Sequence, residues 1–294
     1  MKIYETLNKA ADYIIKGRHL KKDVAKFEAA ELLMFLTGFD KPSLYAKFQD
    51  NLPGMAAKKL FKLTHKRAAG MPLQYLTGTA HFYGNEFICK KGVLIPRQDT
   101  EAVIEAVKSL PLKPKTQAAE LGPGSGIISV TLCLECPEIA HITAIDISKK
   151  AISLTYLNAK KHGVEGRITA KYGNFFTLSG KSPSKFDIIV SNPPYITKKA
   201  MSKLQKEVLH EPSTALTDKK DGLSFYKRLA SEAKNILTPG GYMVLEIGDG
   251  MESKVRKVFH KENWKYLSTF NDFKGLKRVV IFLFIGQKNV KQKQ

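Results

Sequence analysis

The sequence predicts an α/β protein: a doubly wound, mostly parallel sheet, preceded by a small N-terminal helical bundle and a β-hairpin linker. Three observations carry this. From residue 97 onward, short apolar strand-like runs alternate with amphipathic helical stretches. One strand, Ala118-Ala119-Glu120-Leu121, runs straight into the glycine-rich turn Gly122-Pro123-Gly124-Ser125-Gly126. Residues 1 to about 75, by contrast, show only helical periodicity.

In the N-terminal part, Leu7, Ala10, Ala11, Ile14 and Ile15 share one helical face, and Phe27, Ala30, Glu31, Leu33, Met34 and Phe35 mark a second helix. Gly38 and Pro42 punctuate, and Asn51-Leu52-Pro53-Gly54 opens a third helix containing Leu60, Leu63 and Ala68. A bundle of this kind, residues 1–75, is either a structural cap or a platform for a macromolecular partner. Residues 76–96 are glycine-punctuated and aromatic, with extended segments at Gln74-Tyr75-Leu76-Thr77-Gly78, Phe82-Tyr83-Gly84 and Phe87-Ile88-Cys89. They read as a β-hairpin linker.

Residues 97–286 form the predicted α/β domain. A helix from Thr100 to Leu110 precedes the strand ending at Leu121, and the helix Ile127 to Cys136 follows the glycine turn. A second strand, Ile142 to Ile145, ends in Asp146 before the helix Lys149 to His162; a third, Ile168 to Tyr172, ends in Gly173-Asn174-Phe175. The fourth, Phe186 to Val190, stops at Ser191-Asn192-Pro193-Pro194-Tyr195. Then come a helix Gly222 to Leu237, a turn Pro239-Gly240-Gly241, a strand Tyr242 to Ile247, a helix Met251 to His260 and a strand Arg278 to Ile285. The tail 287–294 is polar and basic, with the composition of a disordered segment.

Composition narrows the function classes. The longest apolar run, Val279 to Ile285, is far too short to span a bilayer, and the N-terminus lacks a secretory pattern, so a cytoplasmic location is expected. The net charge of +21 is spread along the chain, which suits a lysine-rich solvated surface as well as an acidic partner. Cys89, Cys133 and Cys136 are too few for a disulfide framework, and no second pair or histidine cluster completes a zinc site around the C-x-x-C spacing. No metal is predicted.

Site chemistry is expected at the strand ends. Gly122 to Gly126 lack the dinucleotide G-x-G-x-x-G spacing, so their first reading is close backbone approach to a ligand. Asp146 stands where an acid accepts hydrogen bonds from both ribose hydroxyls. Glu120 favours a ligand ammonium, the helix after Gly126 a carboxylate, Phe175 covers an adenine and Asn174 meets its amino edge. Together these describe S-adenosylmethionine better than a nicotinamide dinucleotide. At the fourth strand, the Asn192 side-chain oxygen and the backbone carbonyls around Pro193 and Pro194 are acceptors that can grip a planar –NH2, and Tyr195 adds a flat face. An amide or an exocyclic base amine fits equally well.

With these residues in hand, the sequence resembles the class I S-adenosylmethionine-dependent methyltransferases, and within them the release-factor glutamine methyltransferases of the PrmC/HemK family. The resemblance spans nearly the whole chain: Arg67, Gly70, Pro72, Gln74, Tyr75, Gly78, Phe82, Gly84 and Phe87; Leu94 to Glu101; Glu120 to Gly126; Asp146; Asn192 to Tyr195; Glu211-Pro212; Asp221 to Tyr226; and Pro239 to Tyr242. Pro96-Arg97-Gln98-Asp99-Thr100-Glu101 is its most specific piece. Asn174 and Lys277 stand where the family usually has acids.

The resemblance implies methylation of the glutamine amide nitrogen in the Gly-Gly-Gln motif of peptide chain release factors. Asn192 and Pro193 would be catalytic, with Pro194 and Tyr195 also contacting substrate. Glu120, Gly122 to Gly126, Asp146, Asn174, Phe175 and Asn192 would hold the cofactor. The helical domain would dock the release factor, the chain would act as a monomer, and no direct nucleic-acid contact is expected. Two alternatives share the Asn-Pro-Pro-Tyr loop: ribosomal-protein glutamine methylation and adenine N6 methylation of nucleic acid.

Overall fold

The computed structural model describes residues 1–175, 185–260 and 263–286 of the 294-residue chain, so the expectation for the tail 287–294 lies outside the described residues. The chain divides into two compact units, Met1–Thr79 with Gln205–His210, and Ala80–Leu204 with the rest.

The first unit packs α1 (Ile3–Arg18), α2 (Lys22–Thr37), α3 (Lys41–Ala46), α4 (Gly54–Ala68) and α5 (Leu73–Thr77) around Ala10, Ile14, Ala29, Leu32, Leu33 and Leu60, all fully buried. Two expectations need correction here. The buried stripe of α2 is Ala25, Glu28, Ala29, Leu32 and Leu33, whereas Phe27 and Phe35 are more than half exposed. Within that stripe Glu28 accepts two hydrogen bonds from the buried Arg67 guanidinium, from Nε at 2.8 Å and from Nη2 at 2.7 Å. Residues 73–77, expected to be extended, form a single helical turn instead. Pro72 precedes that turn and Gly78 ends it in the left-handed region, a start and stop arrangement that favours helix.

Arg67 also donates to Glu207 at 2.8 Å, and Arg18 pairs with the same carboxylate. This ties Gln205–His210 into the helical unit, although that segment lies far along the chain. Burial alone would raise the Glu207 pKa, but the two guanidinium groups more than offset it and hold it below the ordinary carboxylate range.

In the second unit, β1 (Thr79–Phe82) and β2 (Asn85–Ile88) pair across Tyr83-Gly84, both at positive φ (48° and 73°), the backbone of a type I′ hairpin. The main sheet has seven strands among the described residues: β3 (Thr116–Leu121), β4 (Ile139–Asp146), β5 (Ile168–Tyr172), β6 (Phe186–Ser191), β7 (Leu237–Glu246), β8 (Trp264–Asn271) and β9 (Lys277–Phe284). Their order is β5-β4-β3-β6-β7-β9-β8. All pairings from β5 to β7 are parallel, and β9 is antiparallel to both β7 and β8.

Both faces of the sheet are covered, and alternate residues feed separate cores. Ala118, Ile188 and Val190 enter a cluster with α6 (Glu101–Lys108) and α7 (Ile127–Glu135); Ala119, Leu121 and Ile189 enter a second with α11 (Ser224–Glu232) and α12 (Glu252–Phe259). Among the described residues the remaining α-helices are α8 (Lys149–Lys161), α9 (Lys198–Met201) and α10 (Ser213–Leu216). Near-continuous burial along β3 and β6 is what a parallel sheet covered on both faces requires. The predicted turn at Pro239-Gly240-Gly241 lies inside β7, where Gly240 has φ +83° and the register against β6 shifts, so it is a bulge. Cys133 and Cys136 are buried free thiols in the first core cluster.

Candidate active site

The topology decides where a site can form. Strand order reverses between β3 and β6, and the register pairs Leu121 with Ser191. The two loops read from the sequence, starting at Gly122 and Asn192, therefore leave the sheet side by side at its carboxyl edge, the switch-point position for ligand binding. Ser191 locks them together by donating its hydroxyl to the Leu121 carbonyl at 2.7 Å.

An open cavity lies there, about 1140 Å³ with its solvent-filled mouth included. Glu120, Gly122, Pro123, Gly124, Ser125, Asp146, Asn174, Phe175, Asn192, Pro193 and Pro194 all line it. Gly126 and Tyr195, singled out with them, do not. Gly126 has φ +81°, and a Cβ there would come within 2.9 Å of Thr155 on α8, so its lack of a side chain serves helix packing. The Tyr195 ring packs in the second core cluster, and its hydroxyl donates to Glu246 Oε1 at 3.3 Å. Gly248 makes room for the ring: a Cβ there would lie 2.9 Å from it.

Each polar group on the wall is set by its neighbours. Asp146, at the end of β4, accepts from the Ser148 amide at 2.8 Å on one oxygen and from the Gly124 amide at 3.2 Å on the other. Burial nonetheless raises its pKa, those amides offsetting only part. Glu120 is buried at the end of β3 and accepts from both the amide (2.9 Å) and the hydroxyl of Ser129. Burial pushes its pKa up to about 7; Ser129 works against this and the Asp146 carboxylate adds to it. Asn192 donates its side-chain amide to the Thr100 hydroxyl at 3.2 Å, which leaves Oδ1 as the end not engaged by Thr100.

Sequence reasoning attached no role to several groups that shape this site. Val93, Ile95, Arg97 and Thr100 line the cavity, as do Pro212, Thr214 and Ala215. Glu211 explains the arrangement: its buried carboxylate accepts from the Ile95 amide at 3.0 Å and from Arg97, holding residues 95–97 to residues 211–215. The motif pieces Pro96-Arg97 and Glu211-Pro212 carried this signal, but more than a hundred residues separate them. Among the described residues no group of His, Cys, Asp and Glu has the makings of a metal site, and no helix is long and apolar enough to cross a membrane.

Comparison with known proteins identifies the family. Residues 16–78 match the PrmC N-terminal domain and residues 99–222 the Methyltransferase small domain. A release factor glutamine methyltransferase of Geobacter sulfurreducens is 36% identical over 279 residues, covering 94% of this chain and 95% of that protein. A bifunctional methyltransferase of Rickettsia felis is 34% identical over 309 residues, and there the match spans only 58% of the relative. A methyltransferase crystal structure from Pyrococcus furiosus superposes with a TM-score of 0.52 at 18% identity, over 70% of this chain and 91% of that one, which shows the shared fold. The two domain matches lie in the order the two units require, and the near full-length relative completes the case: the chain belongs to the release factor glutamine methyltransferase family.

Proposed function

We propose that the chain methylates the side-chain amide nitrogen of the glutamine in the Gly-Gly-Gln motif of peptide chain release factors, with S-adenosylmethionine as methyl donor. The observation that carries this reading is the juxtaposition of Asn192 and Pro193 with the glycine loop and Asp146 around one cavity.

The wall fits the donor. A Cβ at Gly122 would meet nothing within 4 Å, so the backbone faces the ligand space bare. Each Asp146 oxygen is held by one backbone amide and keeps acceptor capacity for a ribose hydroxyl. Glu120 offers a carboxylate to an ammonium, and Asn174 and Phe175 stand on the wall for the adenine. Bound there, the donor supplies an electrophilic sulfonium methyl.

The protein's task is to present a poor nucleophile. An amide nitrogen shares its lone pair with the carbonyl, so orientation must supply most of the rate. The Asn192 side-chain oxygen and the Pro193 backbone carbonyl accept the two N–H bonds of the substrate amide, which fixes the nitrogen and turns its lone pair toward the methyl. Both proline rings fix φ, so the loop holds this geometry without reorganisation. The methylated nitrogen is strongly acidic, and no strong base is needed beforehand. Tyr195, committed to Glu246 and the core beside Gly248, is not part of the cavity wall. That argues against base stacking and so against the adenine reading.

The helical unit is proposed to dock the release factor, and a monomer acting in the cytoplasm goes with that partner. Labelled methyl transfer from S-adenosylmethionine, with a release factor, DNA and RNA as competing acceptors, tests the proposal. Label in the factor alone is expected; label in adenine and none in the factor would contradict it.

A further inference from the structure

The backbone that follows Asn-Pro-Pro-Tyr makes an excursion and returns to its own start. Ile196 donates its amide to the Leu216 carbonyl at 2.9 Å and bridges to Thr217 in parallel, so residues 197–216 are stapled at their base, directly beyond Tyr195. The returning limb reaches the site: Pro212, Thr214 and Ala215 line the cavity. Its own regular structure is slight. The α-helices of the excursion among the described residues, α9 and α10, have four residues each, too few to be stable without packing.

One buried carboxylate supplies what the limb lacks. The Glu211 side chain is 1% exposed, stands just before Pro212 and does not itself line the cavity. Its Oε2 accepts from the Ile95 amide at 3.0 Å and its Oε1 from the Arg97 guanidinium. Ile95 is buried and lies outside every strand among the described residues, so no sheet ladder serves its amide. With both oxygens engaged by charge-assisted hydrogen bonds, Glu211 fixes the start of the limb to residues 95–97.

Strand order indicates which ligand meets this wall. Of the groups assigned to the methyl donor, Glu120 and Gly122 belong to the end of β3, Asp146 ends β4 and Phe175 comes after β5, and these three strands lie on one side of β6 in the sheet. The excursion leaves from β6 itself, through the loop that grips the substrate amide. Resting on the function proposed above, we infer that Glu211 is a positioning residue for the acceptor: it sets Pro212–Ala215 as the wall against which the substrate chain beside the reacting glutamine lies. Pro212 and Ala215 present no long side chain there, and the Thr214 hydroxyl can donate to or accept from a peptide backbone. Such a wall suits a glycine-flanked glutamine.

The test compares Glu211→Ala, Glu211→Gln, Thr214→Trp and wild type in steady-state transfer to a release factor, in calorimetry with S-adenosylmethionine and in thermal melting. Glu211→Ala is expected to raise the KM for the factor about 10- to 100-fold, with kcat at saturation and affinity for S-adenosylmethionine within about twofold of wild type. Glu211→Gln keeps an oxygen for the Ile95 amide and is expected to fall between the two. Thr214 is exposed on the same limb, so Thr214→Trp is expected to melt as wild type does and to show the same split, which decides the matter if Glu211→Ala does not fold. An unchanged KM for the factor, or a loss of S-adenosylmethionine affinity as large as the loss for the factor, would overturn the inference. If wild type left the factor unmodified and methylated DNA or RNA, the proposed function would fall, and the same split measured with that acceptor would decide the inference.

Discussion

The buried charge of the helical unit and two buried carboxylates of the α/β unit are answered in different ways. In the helical unit the 2%-exposed Arg67 is met by Glu28 through two parallel hydrogen bonds and by Glu207 through a third, so the charge is fully answered. In the α/β unit Glu120 and Glu246, each 1% exposed, are answered mainly by hydroxyl and amide groups and rise to about 7. Matched buried charge holds a fold in register. Carboxylates perturbed by burial in the second way concentrate at functional sites.

Breaking the matched pair should have the largest effect. Arg67→Met strands two carboxylates, and a loss of about 3–5 kcal/mol is expected in denaturant unfolding of the whole chain. Pairing it with Glu28→Met should recover part of that loss, because an uncompensated charge goes with the partner. On the α/β side, Asn192→Ala should leave stability within about 0.5 kcal/mol yet cut kcat roughly 10²- to 10³-fold, with little change in cofactor affinity by calorimetry.

Glu120 sharpens the comparison through pH. Its folded pKa of about 7 lies above the ordinary 4.5. It therefore contributes stability that is fully present below about pH 4.5 and is lost as pH rises through 7, on the order of 3 kcal/mol by pH 8. The stability difference between wild type and Glu120→Gln should drift by that amount from pH 4 to pH 8. A bound ammonium should reverse the trend, so affinity for S-adenosylmethionine should rise with pH through 7 in wild type and stay flat in Glu120→Gln. The smallest effect expected is for Asp146→Ala: about tenfold weaker cofactor binding with turnover at saturation nearly preserved.

Much of this was legible in the sequence because it is local. Ile188 to Val190, followed by Asn192-Pro193-Pro194, announces a strand ending in a rigid loop, and Asp146, at the end of the strand that follows the glycine turn and its helix, needs only chain order to be placed. Three features were not legible, each for a tertiary reason. Trp264–Asn271 carries an alternating aromatic and polar pattern but is an edge strand, so its exposed residues blunt the hydrophobic signal. The inward face of α2 carries Glu28, which meets Arg67 across 39 residues of chain, while Phe27 and Phe35 of the apparent apolar stripe stay exposed. Tyr195 looks like a stacking residue until Gly248 and Glu246, more than fifty residues downstream, take its ring and its hydroxyl.

The central claim is that this cavity presents a protein glutamine amide to a methyl donor, and peptide mapping by mass spectrometry tests it most directly. After incubation with S-adenosylmethionine, a release factor should carry a single added methyl on the glutamine of its Gly-Gly-Gln motif with the wild-type enzyme, and almost none with Asn192→Ala. A methyl on any other residue, or equal modification by both enzymes, would contradict the account.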